Sequence, residues 1–541
     1  MRTPRIFLAA ASGATAMLVG ILGSPSPLAA TASVTVVVSP SLGRHAISPL
    51  IYGLNATATE PGFAALQATA RPTLLRLGGN RWSAYNWENN DSNAGSDWYY
   101  ENDDFLSSST SPADAVLSTL RPDAAAGRST LLTLPITDSV AADRLGTNVE
   151  DTPNWLSTRF LPNLLQTPGV QPANLPMRPS LTDGKVYQDQ FLEYLRRQVP
   201  RASVLVDLDN EPDLWSSTHA EIHPVAVTYG ELLRRDLAAA AMVKAVWPGA
   251  TVAGPVNYGW EGMATLQQAS DAPPAPGGEV WSFLPWWLQH LHGAEAAAHH
   301  RLVDLLDVHW YPEAEGGGVR ITGTDTTAAV VAAREQAPRS LYDPSYVEQS
   351  WITQWSTAGR GIDLLDRLAT EVRTHNPGMG LSISEWDYGA GGSISGAIAD
   401  ADVLGAFGTH GVTAAAYWPL SDHEAFSTAA FALFRNFDGH GGAFGSTSIR
   451  ATSSSIPTVT AYASLTSGAH PSTVVVLINK ATAPSATTLT VSGATRQHHP
   501  LRYQLTAATP RVLPAGSVAE HGAGKLALVL PAQSITVLAG V

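Results

Sequence analysis

Between residue 47 and about residue 420, short runs rich in Val, Ile and Leu recur eight times, with helix-like stretches between them. The runs fall at 47–54, 73–78, 130–136, 203–209, 251–256, 305–311, 381–386 and 412–418. Most are almost continuously apolar rather than alternating, as parallel strands covered on both faces should be. The intervening segments 112–126, 187–198, 225–246, 279–299, 362–374 and 395–410 carry helical character. Eight strands interleaved with helices predict a (β/α)₈ TIM-like barrel. A doubly wound open sheet is the alternative that periodicity alone leaves open.

After residue 456 the texture changes. Segments 458–465, 473–479, 487–491, 501–505, 526–530 and 534–538 are short, β-branched and separated by Pro, Gly, Ser and Ala. They predict an antiparallel β-sandwich. Residues 33–39 (SVTVVVS) share that texture ahead of the barrel. The expected organisation is therefore a strand-bearing segment 33–46 that joins the sandwich, a barrel over 47–450 and the sandwich proper over 451–541.

The first 32 residues form a separate object. Arg2 and Arg5 open the chain, an apolar run covers 6–22, and Pro25 and Pro27 precede small residues near Ala30 and Ala32. That is the order of a secretory signal peptide, which implies a secreted, extracellular protein with no membrane segment after processing. The chain has no cysteine, so its stability must come from the core. A formal charge of −14 without a Lys/Arg cluster excludes a nucleic-acid partner. Fifteen Trp and fifteen Tyr in an acidic, exported chain favour a polysaccharide partner, because aromatic faces stack on sugar rings. A monomer is expected.

Two motifs carry chemistry. The apolar run SVLVDL leads into Asp209-Asn210-Glu211-Pro212, and Pro212 keeps Glu211 out of helical geometry at the strand's carboxyl end. An Asn beside that carboxylate suits a sugar hydroxyl. The run at 381–386 ends on Glu385, followed by Trp386, Asp387 and Tyr388. The two glutamates finish the fourth and seventh strands, across the barrel mouth from each other. Hydrolysis of a glycosidic bond needs such a pair: an acid for the leaving oxygen and a carboxylate beneath the anomeric carbon. Glu211 is the better acid/base and Glu385 the better nucleophile.

Arg76 ends the second strand, His309 and Tyr311 the sixth, and Trp418 the eighth. Each is a candidate for holding the nucleophile or flooring the cleft. Trp82, Tyr85 and Trp87, in the long segment after the second strand, are candidate sugar platforms, as are Trp386 and Tyr388. Asp91, Asp97, Asp103 and Asp104 make an oxygen-rich loop of the kind hard cations prefer, and Glu60 and the Glu150-Asp151 pair are further acidic candidates. Their spacing matches no EF-hand, so the loop reads as solvated and no metal ligand is assigned. Two-carboxylate chemistry needs no cofactor, and any Ca²⁺ held there would be structural.

The chain resembles glycoside hydrolase family 44, the endo-acting β-1,4-glucanases and xyloglucanases. The resemblance is carried in order by residues 76–104 (RLGGNRWSAYNWENNDSNAGSDWYYENDD), 206–215 (VDLDNEPDLW), 252–263 (VAGPVNYGWEGM), 307–312 (DVHWYP), 382–388 (SISEWDY) and 435–445 (RNFDGHGGAFG). It implies a barrel with a sandwich, retention of configuration, Glu211 as acid/base and Glu385 as nucleophile. It also implies action on cellulose derivatives, mixed-linkage glucan or xyloglucan. Two other readings stand beside it. One is an exo-acting arabinofuranosidase, which suits residues 47–53 (ISPLIYG) and a flanking sandwich. The other is a glucan-binding protein whose glutamates are scaffolding.

Overall fold

The computed structural model describes residues 33–273, 281–421, 423–494, 499–519, 521–522 and 524–541. The expected signal, residues 1–32, and the first two residues of the expected helix at 279 lie outside them.

Eight parallel strands close into a barrel in which each strand pairs with its sequence neighbours and the last with the first. They are β1 Gly53–Asn55, β2 Leu74–Leu77, β3 Ser129–Leu134, β4 Ser203–Leu208, β5 Thr251–Tyr258, β6 Leu305–Trp310, β7 Gly380–Trp386 and β8 Ala414–Tyr417. The main outer helices are α1 Phe63–Ala70, α2 Asp114–Ala126, α3 Gln188–Gln198, α4 Tyr229–Val246, α5 Phe283–Ala298, α6 Leu364–His375, α7 Ile394–Thr409 and α8 Ala425–Arg435. α4 shows why they start where they do. Thr228 accepts a hydrogen bond from the Glu231 backbone N–H, three residues on, and Pro248 follows the last turn.

The first strand is shorter than the run 47–54 suggested. Pro49 has no N–H to give a sheet, and Ser48 Oγ accepts from Leu50 N, so Pro49–Ile51 turns into a 3₁₀ helix and only Gly53–Asn55 joins the barrel. Helices α1 and α8 were not anticipated from the sequence.

Alternation along the strands sorts the barrel interior into levels. Leu74, Leu131, Leu205, Ala253, Leu305 and Ala414 form an apolar floor. Two residues further along, toward the carboxyl ends, the buried side chains of Arg76, Thr133, Asp207 and Asp307 are polar. Intervening residues such as Leu75, Val206, Leu306 and Ile383 pack outward on the helices in the main core. The polar level lies directly under the mouth of the barrel, where such folds keep their chemistry.

The second unit of structure is mostly antiparallel. Strand Val34–Ser39 pairs antiparallel with Thr447–Ser453 and parallel with Ser485–Val491. Strand Thr447–Ser453 is shared: Thr447–Ile449 pair with Val459–Leu465, while Arg450–Ser453 pair with the amino-terminal strand. A strand that changes partners in this way joins two layers at a corner. Val34, Val36, Val38, Leu477, Leu489, Leu528 and Leu538 fill the space between them. The other face of the larger sheet, with Tyr462, Val476, Ile478 and Val537, belongs to the barrel's core. Gly405 on α7 permits this contact, because a Cβ there would lie 2.2 Å from the Tyr462 ring. Lys480 and Asp402 form a salt bridge at this junction with both side chains fully buried, and the Tyr342 and Tyr462 hydroxyls also donate to Asp402.

Candidate active site

Each catalytic candidate reaches the mouth of the barrel through a break in regular structure. The β4 strand ends at Leu208, and both Asp209 (φ 72°) and Glu211 (φ 47°) take left-handed backbone geometry. Such geometry is costly outside glycine and persists where surrounding bonds over-determine it. Here Asp209 accepts from Ile136 N at 2.7 Å and from Asn210 N at 2.8 Å, and Glu211 N donates to Val256 O at 3.1 Å. On β7, the register with β6 slips between Ile383 and Glu385, leaving Ser384 as an extra residue. Bulges of this kind re-aim a side chain, and this one turns Glu385 into the barrel mouth.

One carboxylate oxygen each of Glu211 and Glu385, with a ring nitrogen of His309, lie within 4.8 Å of one another. The cavity that the two glutamates line holds about 370 Å³ and is bordered by Gly79, Asn80, Asp97, Asn210, Tyr258, Tyr311, Arg320 and Trp418. Glu385 is clamped: Oε1 accepts from Arg76 Nη1 at 2.6 Å and Oε2 from the Tyr311 hydroxyl at 2.7 Å. The two bonds fix the direction in which the carboxylate points. Arg76 is itself fixed. Its Nε donates to Asp207 at 2.7 Å, Nη1 to Asn55 Oδ1 at 3.1 Å and Nη2 to Asn210 Oδ1 at 2.9 Å.

Glu211 sits in a different environment. It is 8% exposed, and its Oε1 lies 2.7 Å from His309 Nδ1. Burial pushes its carboxyl up to about 8, against the opposing pull of Arg76. Burial thus drives Glu211 toward its neutral, proton-bearing form, the form a general acid needs.

His309 is neutral, since burial pulls its ring down to about 4. Its Nε2 faces Arg76 Nη2 at 3.3 Å. A guanidinium can only donate, so Nε2 accepts and the hydrogen resides on Nδ1, pointing at the carboxylates. Among the described residues, Glu211, His309 and Glu385 are the one group whose ligand atoms converge closely enough for a metal ion. The tautomer presents an N–H there, so the constellation handles protons rather than offering a lone pair.

Most of the residues expected at the mouth do meet there. Glu211, Asn210, Tyr311, Glu385 and Trp418 line the cavity, and Arg76 and His309 bond to the glutamates from below. Four do not. Trp386 follows Glu385, so alternation turns it outward, where it stacks on Phe431 and meets Phe407 and Tyr417 edge-on. Tyr388 is fully buried and accepts from Trp310 Nε1. Trp82 and Tyr85 pack on each other and Tyr85 on Phe191, because the short helix Asn80–Ser83 turns them inward. Trp87 joins the same cluster.

The acidic loop is taken up by arginines. Asp91 pairs with Arg144 and Asp103 with Arg81, while Asp97 accepts from Asn80 and borders the cavity. Glu60 caps its own turn through Thr57 N. Asn55, Asn80, Tyr258 and Arg320 are cavity or support residues that the sequence did not single out. Only Asn55 had a signal, at the carboxyl end of β1.

Residues 91–314 match the model of glycoside hydrolase family 44. Endoglucanase A of Paenibacillus lautus is 36% identical over 494 residues, covering 88% of this chain and 68% of that protein. A family 44 endoglucanase produced by Clostridium acetobutylium superposes with a TM-score of 0.87 at 33% identity, covering 94% of this chain and 99% of that one. A Paenibacillus polymyxa family 44 xyloglucanase, solved with xyloglucan, gives 0.86 at 34% identity over the same shares. The chain belongs to glycoside hydrolase family 44 and is a glucan hydrolase of the cellulase/xyloglucanase type.

Proposed function

We propose that this protein is a secreted, retaining endo-glycosidase that cuts internal β-1,4 linkages of cellulose derivatives, mixed-linkage glucan and xyloglucan by double displacement. Glu211 protonates the leaving oxygen as Glu385 attacks the anomeric carbon. Glu211 then takes a proton from the water that releases the glycosyl-enzyme. The observation that carries this reading is the approach of the two carboxylates to within 4.8 Å. Retaining enzymes hold their carboxyl groups about 5–5.5 Å apart, whereas inverting ones leave about 6.5–9.5 Å for a water. The substrate class is drawn from relatives named as endoglucanase and xyloglucanase.

Internal cutting is supported by exposed aromatic faces beyond the central cavity. Trp98, 56% exposed, lies on the segment after β2, and Trp355, 74% exposed, on the segment after β6. Asn210, Trp418 and Tyr311 are the residues we assign to sugar contact, with His309 and Arg76 holding the glutamates. We further read residues 1–32 as the export signal, the mature chain as a monomer and the sandwich (33–46 and 451–541) as a brace for the barrel (47–450). A Ca²⁺ ion, if the chain carries one, has a structural role. No helix among the described residues is long and apolar enough to cross a membrane.

The test is product analysis on carboxymethyl cellulose, mixed-linkage glucan and xyloglucan. Viscosity should fall well before reducing ends accumulate; early release of monomer rejects an endo mode. Proton NMR of fresh product should show the β-anomer first, and an initial α-anomer rejects retention.

A further inference from the structure

Below the catalytic glutamates, two aspartates from alternate strands meet inside the barrel. Asp207 on β4 and Asp307 on β6 are both 0% exposed. Asp207 Oδ2 accepts from Arg76 Nε at 2.7 Å, and Asp307 Oδ1 accepts from Ser384 N at 3.0 Å. The second oxygens, Asp207 Oδ1 and Asp307 Oδ2, are buried without a hydrogen-bond partner among the described residues. Two carboxylates cannot face one another in a dry interior with both ionised. Burial first, and the Asp307 charge second, push the Asp207 carboxyl well above its usual range.

Both outer contacts of this pair lead to Glu385. Arg76, held by Asp207, donates to Glu385 Oε1 at 2.6 Å. Ser384 is the bulged residue immediately before Glu385, and the ladder leaves its N–H to Asp307. We propose that Asp207 and Asp307 share one proton and work as a positioning pair, fixing Glu385 through Arg76 on one side and through the Ser384 bulge on the other. This rests on the assignment of Glu385 as nucleophile.

A singly protonated pair also keeps the charge of the site constant. Arg76 is cancelled by the pair, and Glu385 contributes the one remaining negative charge. When the Glu385 oxygen bonds the anomeric carbon and the old C–O bond breaks, Glu385 becomes a neutral ester. Glu211 gives its proton to the leaving oxygen and takes up the negative charge. Hydrolysis of the ester reverses both changes, with the water's proton returning to Glu211. A fully ionised pair would add a second negative charge beside the nucleophile and draw Arg76 away from it.

The experiment compares Asp207→Asn, Asp307→Asn and the double variant on an aryl β-cellobioside and on carboxymethyl cellulose. Either single amide mimics the protonated partner and preserves one negative charge, so each lowers kcat by about threefold with KM unchanged. The double variant removes that charge and sets two amides against each other, so kcat falls by at least about a hundredfold, far more than the product of the singles. A double loss equal to that product, or a single as damaging as the double, overturns the shared proton. Thermal unfolding of each variant controls for folding. If the double variant does not fold, Asp307→Leu serves instead. It leaves Asp207 without a hydrogen donor, so kcat must fall well below that of Asp307→Asn, and equality overturns the proposal. Glu211→Gln and Glu385→Gln run alongside on carboxymethyl cellulose: their inactivity on the polymer upholds the two-glutamate mechanism whatever the aspartates do.

Discussion

His309 Nδ1 lies 2.7 Å from Glu211 Oε1, while its other nitrogen faces a guanidinium. Arg76 thereby sets the tautomer of His309, and His309 occupies one oxygen of the acid. The proton of Glu211 is left on Oε2. Replacing His309 with Phe removes the N–H and frees Glu211 to rotate, so kcat should fall by about 10²-fold with a smaller change in KM. His309→Asn, whose amide can still donate, should recover part of that loss. Equal rates for the two variants would show that the N–H has no role.

The raised carboxyl of Glu211 sets the alkaline edge of activity. An acid works only while protonated, so kcat/KM should decline tenfold per pH unit above about 8. His309 is neutral above about 4, so between the two values neither it nor Glu211 changes its charge. The same burial costs stability. A carboxyl whose folded value is raised from 4.5 to about 8 destabilises the fold progressively as pH rises between those limits. Glu211→Gln should therefore melt above the wild type at pH 8, by ~1–3 °C, with the gap closing toward pH 4.5. An alkaline limb that survives in Glu211→Gln would assign it to another group.

Roles of the two glutamates separate by chemical rescue. On polymer, Glu211→Gln and Glu385→Gly should each lose about 10³–10⁴-fold or more in kcat. With a dinitrophenyl leaving group, Glu211→Gln needs no acid for the first step, and azide should speed the second to give the β-glycosyl azide. Azide in the cavity left by Glu385→Gly should give the α-azide directly. Exchanged anomers would reverse the assignment.

At Gly79 the backbone passes close to Trp418, the cleft's tryptophan. A Cβ there would lie 2.7 Å from Trp418 Cη2, and its φ of 96° belongs to glycine. Gly79→Ala should displace Trp418 and raise KM for polymer about tenfold, with kcat on an aryl glycoside less affected. An unchanged KM would remove Trp418 from the sugar-binding surface.

What could be seen in the sequence follows from which constraints are local. A strand buried on both faces must be apolar throughout, so eight such runs betrayed the barrel. A proline after Glu211 marked the strand end and with it the acid. The direction in which a short helix turns is decided by packing, so Trp82 and Tyr85 looked like platforms although they face Phe191. Trp386 was open to local reasoning, since alternation after an inward Glu385 sends it outward. Asp207 and Asp307 each interrupt an apolar run once, which resembles a solvated strand end. Their meeting depends on barrel closure, which joins residues a hundred positions apart.

The junction between barrel and sandwich offers a last test, one of stability alone. Asp402 on α7 and Lys480 beyond the sandwich strand Thr473–Asn479 bury their charges completely. Attraction between them offsets a large desolvation cost, so the pair as a whole adds little, yet either charge left alone is expensive. Lys480→Met leaves Asp402 with only the hydroxyls of Tyr342 and Tyr462. It should destabilise the fold by about 3–5 kcal/mol. Lys480→Met combined with Asp402→Asn should recover most of that, because the amide carries no charge to strand. Catalysis at a temperature where both variants are folded should be unchanged, since neither residue borders the cleft. Urea unfolding of the three proteins measures the outcome, and a double variant no more stable than Lys480→Met would show that the pair's attraction, rather than the penalty of an orphaned charge, holds the junction.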